Sequence, residues 1–326
     1  MQRFKDILCV VGSAQAGSQA IERAVTLAEN NQASLSVVSV VEHVSTGIGI
    51  PNDSPVPADL QAAMVAAQVQ NLEALVSPYS NRIEINTRVL TGSPFLEIIR
   101  EVLRTGRDLV IKSPEPREWQ DRLFDSDDMH LLRKCPCPVW LIKPQARKTF
   151  RRILATVDVD AAYPAAEMDT RHALDRQVLE LATSLALSEF AELHIAHAWH
   201  AIGESAMRGG FMQTAEENIT AYVDQVKRDR ERRLNALIDE VTGNQGQAAL
   251  DYLKPQIHLV KGWARKEIPA LAKRIDADLV VMGTVARTGI SGFLIGNTAE
   301  TILNQIDCSV LAIKPPGFQT PVTLQG

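Results

Sequence analysis

The clearest chemistry in the chain lies between residues 279 and 303. Leu279-Val280-Val281-Met282 is an apolar block that ends in Gly283, and a small residue, Ala286, follows three positions later. A second glycine, Gly296, then meets Asn297-Thr298 where Ala299-Glu300-Thr301-Ile302-Leu303 starts a helical pattern. Small residues let a phosphate approach the backbone, while a helix start offers unpaired N–H groups and the positive end of a dipole. Asn297 is a good helix-capping residue, and Thr298 places a hydroxyl beside it. The segment reads as an anion cradle.

Other reactive residue types have plainer readings. His194, His197 and His200 look like a metal trio. Residues three apart on a strand point to opposite faces, so one ion cannot easily collect them, and no metal site is expected. Cys135-Pro136-Cys137-Pro138 lacks the Cys-x-x-Cys spacing of redox motifs and reads as packing beside the last strand of its half. The run from Lys227 to Arg233 lies within a helix whose apolar stripe continues through it, so it reads as a solvated face with internal ion pairs. Ala206-Met207-Arg208-Gly209-Gly210-Phe211-Met212 could instead form a sticky loop around a small apolar or lipid-like ligand. No nucleophile elbow, Walker lysine or pair of carboxylates spaced for acid–base work is present, so no catalytic residue is assigned.

Composition narrows the field further. Of 326 residues 45% are apolar and 22% charged, which excludes a disordered chain. No apolar run approaches the ~18 residues that span a bilayer, so no membrane partner is expected. Five apolar residues, Ile7 to Val11, are too few for the core of an export signal. The net charge is −5 with scattered basic residues, which argues against nucleic acid. Four cysteines at uneven spacing suit a reducing cytoplasm.

An internal repeat supplies the elements that would position the cradle. Arg3-Phe4-Lys5-Asp6-Ile7-Leu8 is echoed by Thr149-Phe150-Arg151-Arg152-Ile153-Leu154 at an offset of 146. Ala33-Ser34-Leu35 answers Ala191-Glu192-Leu193 at 158, Gly92 with Glu97 answers Gly262 with Glu267 at 170, and Cys137-Pro138-Val139 answers Cys308-Ser309-Val310 at 171. A growing offset means two copies of one domain, 1–146 and 147–326, the second with added residues around 160–170 and between 200 and 256.

Apolar blocks at 7–11, 35–41, 85–90, 108–112 and 138–142, then at 153–157, 193–198, 257–260, 278–282 and 309–313, suit strands buried on both faces. Helical stripes lie between them: Ile21, Ala24, Val25 and Ala28; Leu96, Ile99 and Leu103; Leu179, Ala182, Leu185 and Ala186; and a long one over 213–241. The fold class is therefore α/β, two doubly wound parallel-sheet domains in tandem, with ligands expected beyond the carboxyl ends of the strands.

The glycine segment and two-copy layout together resemble the universal stress proteins, the UspA-domain family, and the whole chain is similar to their tandem, E-type branch. That family's nucleotide pattern is Gly, two residues, Gly, nine residues, then Gly-Ser or Gly-Thr. Gly283 and Gly296 match it, Ala286 replaces the middle glycine, and Asn297 follows the last. The resemblance implies a Rossmann-like fold of the adenine nucleotide alpha hydrolase type and a ligand-binding role in stress response. It implies ATP or AMP in the second copy, Mg²⁺ only with the nucleotide, and at most slow hydrolysis. Adenine would be held by Asp158 and by backbone near Ala198, ribose and phosphates by Gly283, Ala286, Gly296, Asn297 and Thr298. In the first copy the answering loop reads Lys112-Ser113-Pro114-Glu115-Pro116, and Asp125-Ser126-Asp127 with Asp128 stands where Gly296-Asn297-Thr298 stands in the second. Carboxylates there repel a polyphosphate, so the first copy is expected to be structural. The resemblance also implies that the two copies pack on each other across their last strands, and it leaves a homodimer open.

Overall fold

The computed structural model describes the chain apart from residues 1–3, 13, 45–55, 115–125, 145, 161–162, 210–213, 246–251, 285–295 and 325–326. All ten apolar blocks form strands. In the first half they are β1 (Asp6–Val10), β2 (Ser34–Val41), β3 (Ile85–Thr91), β4 (Leu109–Lys112) and β5 (Val139–Leu141). The helices between them are α1 (Ala14–Asn31), α2 (Val56–Val76), α3 (Pro94–Thr105) and α4 (Ser126–Lys134). The second half has β6 (Arg152–Thr156), β7 (Glu192–Trp199), β8 (Gln256–Lys261), β9 (Leu279–Gly283) and β10 (Ser309–Ile313). Its helices are α5 (Ala165–Glu189), α6 (Glu204–Arg208), α7 (Glu216–Gln245), α8 (Ala264–Arg274) and α9 (Asn297–Leu303).

The chain forms two compact units. One comprises the residues up to Lys148 together with those from Asp307 on; the other comprises, among the described residues, those from Thr149 to Thr284 and Gly296–Ile306. In the first unit the parallel order is β3-β2-β1-β4-β5, and β10 adds antiparallel to β5, Val310 opposite Leu141. β10, although the last strand of the second repeat, is thus part of the first unit. In the second unit the parallel order is β9-β6-β7-β8. Each opening strand, β1 or β6, has neighbours reached by crossovers in opposite directions, the topology that creates a crevice at the strand ends. Accordingly α1 packs on α2 and α3 on α4, and in the second unit α5 packs on α7 and α8 on α9.

Equivalent residues brace each copy internally in the same way. Asp108 accepts the backbone N–H groups of Lys5 (2.7 Å) and Asp6 (3.2 Å), and Asp278 accepts those of Arg151 (2.7 Å) and Arg152 (3.0 Å). Gly92 and Gly262 adopt φ of 141° and 143°, a region that L side chains rarely enter. At both, an added Cβ would also strike the Cγ of Glu97 or Glu267, at 2.9 and 2.5 Å. These repeated glycines are therefore turn residues.

The added dozen residues after β6 divide between a longer connection and a longer helix. The stripe of α3 is rotated from its expected position: Ile98, Ile99 and Val102 are buried, while Leu96 and Leu103 are only half-buried. Glu101 shares the buried face because Arg88 (3.3 Å) and Arg104 (2.9 Å) bind its carboxylate, so a charged residue hidden in the pattern did not mark the solvent side.

Candidate functional site

Parallel register sets the site in the second unit. Thr156 at the end of β6 lies opposite Ala196 of β7 and Met282 of β9. Val157 N extends the ladder by donating to Ala196 O (3.0 Å). Asp158 therefore emerges beside Ala198 on one side and Gly283 on the other. The chain returns to the same place after β9, because Gly296 N donates to Thr284 O at 3.2 Å and Gly296 caps α9. Gly296 is buried, whereas Asn297 and Thr298 are exposed. Six of the seven expected residues, Asp158, Ala198, Gly283, Gly296, Asn297 and Thr298, thus lie at one end of the sheet in the second unit. Ala286 lies outside the described residues, as does Phe211 of the alternative apolar site.

Two features of the crevice were not legible in the sequence pattern. An added Cβ at Gly283 would stand 2.6 Å from Leu174 Cδ2, so this glycine admits α5 against the end of β9. Asp158 is also engaged. Tyr163, in the longer connection after β6, donates its hydroxyl to Asp158 Oδ2 at 2.5 Å, and Arg171 approaches the same oxygen at 3.8 Å. The Arg171 guanidinium stacks 3.5 Å from the Tyr163 ring centre, and Glu167 holds Arg171 from one turn earlier at 3.3 Å. Burial, then the Asp158 charge, pushes the Tyr163 phenol up, so it remains a donor at ordinary pH. Tyr163 and Arg171 form a strap across a carboxylate that is still half-exposed.

Behind the strap lies a second acid. Asp175 accepts the Asp158 backbone N–H at 3.0 Å and is buried. Burial, reinforced by the Asp158 charge against the opposing hydrogen bond and Arg171, pushes its pKa up to about 7. An acid whose folded value exceeds its unfolded one stabilises the fold fully below about pH 4 and loses that contribution as pH rises through about 7. Asp175→Asn keeps the accepting oxygen and removes the titration. It should flatten the pH dependence of stability between pH 4 and 7 and raise the unfolding free energy at pH 8, by at most about 4 kcal/mol from three pH units at ~1.4 each. Denaturant unfolding of both proteins at pH 5 and pH 8 measures this, and an equal pH slope in the variant would contradict it.

The remaining candidates separate as strand geometry requires. His194 Nδ1 lies 2.9 Å from His258 Nε2, His197 Nδ1 donates to Val157 O at 3.1 Å, and His200 packs on the Trp263 ring at 4.0 Å. Burial lowers the pKa of both His194 and His197, which favours neutral imidazoles. Among the described residues no group of three His, Cys, Asp or Glu side chains could hold a metal ion. In the basic run Arg230 and Arg233 reach Asp229 (2.9 and 2.8 Å), as internal pairing requires, but Arg230 also reaches Asp160 at 2.7 Å. The inserted helix α7 thereby fixes the connection that carries Tyr163.

In the first unit, Asp128 of α4 is fully buried and meets Lys112 Nζ, at the end of β4, at 2.6 Å. Ser113 turns inward to donate to Ile142 O at 3.1 Å. An ion pair therefore occupies the strand end that corresponds to Met282 and Gly283. Glu115, Pro116 and Asp125 lie outside the described residues.

The model of the Universal stress protein family matches this chain twice, over residues 3–143 and 149–314. The chain belongs to that family. Universal stress protein E of Escherichia coli K12 is 32% identical over 244 residues, covering 74% of this chain and 71% of the relative. The Universal stress protein E homolog of Haemophilus influenzae is 27% identical over 321 residues, 96% of this chain and 98% of its own. Among solved structures, a protein of unknown function from Pseudomonas aeruginosa PAO1 superposes with a TM-score of 0.66 at 26% identity, covering 96% of this chain and 94% of that one. The two-copy α/β architecture is therefore that of tandem universal stress proteins. No helix among the described residues is long and apolar enough to cross a membrane.

Proposed function

We propose that this universal stress protein is a cytoplasmic, ligand-responsive binding module. Its second half, 147–326, holds ATP or AMP at the carboxyl ends of β6, β7 and β9, and its first half, 1–146, is structural. Mg²⁺ would arrive with the nucleotide. The observation that carries this reading is the hydrogen bond from Gly296 N to Thr284 O, which returns the start of α9 to the end of β9 beside Asp158. Glycine at the cap contributes no side chain between the first amides of α9 and the crevice, and Asn297 and Thr298 are exposed there. In this reading Asp158 and the backbone near Ala198 would meet the adenine edge, and Gly283 and Gly296 to Thr298, with Ala286 by the family's pattern alone, would take ribose and phosphates. The first half lacks this arrangement, since Lys112 and Asp128 neutralise each other at its corresponding strand end.

The strap makes an immediate test. Nucleotide must displace the Tyr163 hydroxyl to reach Asp158, and a hydrogen bond to a charged group contributes about 1.5–3 kcal/mol. Tyr163→Phe should therefore bind ATP about tenfold more tightly than the natural chain in isothermal titration. Weaker binding in the variant would make Tyr163 a ligand contact instead of a strap, and no binding by either protein would overturn the nucleotide reading.

A further inference from the structure

A second reactive site lies in the first unit, away from the nucleotide crevice. Cys135 follows α4 and remains tied to it, its N–H donating to Leu131 O at 2.9 Å; Cys137 precedes β5. The Pro136 bend between them brings the two sulfurs to 3.6 Å, with one thiol donating to the other. Both are buried, and Cys137 alone retains slight exposure, 7% against 0%. Lys314, just past β10, is buried in the same neighbourhood: its ammonium donates to Leu132 O in the last turns of α4 and lies 5.2 Å from the Phe318 ring centre.

From the paired sulfurs and the lysine beside them we propose that Cys135 and Cys137 form a redox site: a hydroperoxide converts them to an intrachain disulfide, with Cys135 as attacking thiolate and Cys137 as resolving thiol. The charge distribution fits that division. Burial raises the Cys135 thiol, but hydrogen bonds from Cys137 and the Lys314 charge outweigh it and leave it below the ordinary thiol value. The hydrogen bond to Cys135, with burial, pushes Cys137 well up and keeps it protonated. Burial brings Lys314 down to about 7, partly offset by the two sulfurs, so the lysine can give up a proton as well as hold a charge. A lowered thiol pKa beside a cation favours the reactive thiolate, and the hydroperoxide would have to reach the pair from the side of Cys137, the one with slight exposure.

The step balances. The Cys135 thiolate attacks one peroxide oxygen, the O–O bond breaks, and the leaving alkoxide or hydroxide takes a proton from Lys314 or solvent. Cys135 is then a sulfenic acid. The Cys137 sulfur attacks the Cys135 sulfur, the S–S bond forms, and hydroxide leaves as water with the Cys137 proton. Two thiols have lost two electrons, and the hydroperoxide has become water and an alcohol, or two waters when it is hydrogen peroxide.

The test uses the full reduced chain. After treatment with hydrogen peroxide under native conditions, the protein is denatured, alkylated and digested, and its mass is read. Of the four thiols, two should become unavailable, and the peptide beginning at Cys135 should be lighter by two hydrogens. Cys137→Ser should stop at a Cys135 sulfenic acid that a dimedone probe captures, and Lys314→Met should slow disulfide formation about tenfold while circular dichroism remains native. Four alkylated thiols after oxidation, equal oxidation of all four, a Cys137–Cys308 bond in place of the expected one, or an unchanged rate in a folded Lys314→Met protein would each overturn the proposal. A second folded variant, Lys314→Arg, retains the charge that favours the thiolate and should be oxidised faster than Lys314→Met.

Discussion

Gly296→Asp should abolish measurable ATP binding while leaving the fold intact. Gly296 caps α9 with φ −63° and ψ 137°, a conformation open to any residue, and aspartate is among the best helix caps. The new carboxylate could meet the first amides of α9, and the backbone geometry would accept the change. The bound phosphates would not. A carboxylate ~4–6 Å from a phosphate charge costs about 3–4 kcal/mol at an effective dielectric of ~20, more than a hundredfold in affinity. Titration calorimetry and thermal unfolding of the variant separate the two effects. Unchanged affinity in a folded variant would place the nucleotide elsewhere, and unfolding would mean that Gly296 is required for packing.

Lys112→Met has the largest expected effect on stability. Asp128 is fully buried and its ion pair with Lys112 spans 2.6 Å. Removing the cation leaves a buried, uncompensated carboxylate, which costs about 3–5 kcal/mol, whereas replacing both partners by apolar residues of similar size is close to neutral. Thermal or denaturant unfolding should show the loss in Lys112→Met and its recovery in Lys112→Met with Asp128→Leu. ATP affinity of the second unit should be the same in all three proteins. A loss of affinity in the recovered double variant would contradict the structural role given to the first half.

The fold was legible because the repeat and the strand pattern reinforce each other. Apolar blocks of Val, Ile and Leu have one buried solution in a parallel sheet, and paired markers such as Gly92 with Glu97 and Gly262 with Glu267 fixed the alignment of the halves. The loops after β6 and β9 could be singled out because parallel strands expose their carboxyl ends together, while the roles of Asp158, Gly283 and Gly296 there came from the family resemblance. The strap was not legible. Tyr163, Arg171 and Asp175 are spread over a connection and two turns of α5, and their convergence on Asp158 depends on how the added residues fold back. Arg230 was hidden for a related reason: within its own helix it reads as a partner of Asp229, and only tertiary structure brings it to Asp160. Glu101 and Asp128, both charged and both buried, show the general limit. A sequence pattern assigns charge to the surface, and a cation that permits burial, Arg88 of β3 for Glu101 or Lys112 of β4 for Asp128, lies on another element.

The central claim is that the second half carries an adenine nucleotide. Mass spectrometry of the small molecules released when the natively purified protein is denatured tests it directly. The account predicts ATP or AMP, released from the natural chain and absent from Gly296→Asp. Release of an acyl or other apolar compound from the natural chain, or of the same nucleotide from the folded Gly296→Asp variant, would contradict it; so would an empty protein that gives no heat on titration with ATP.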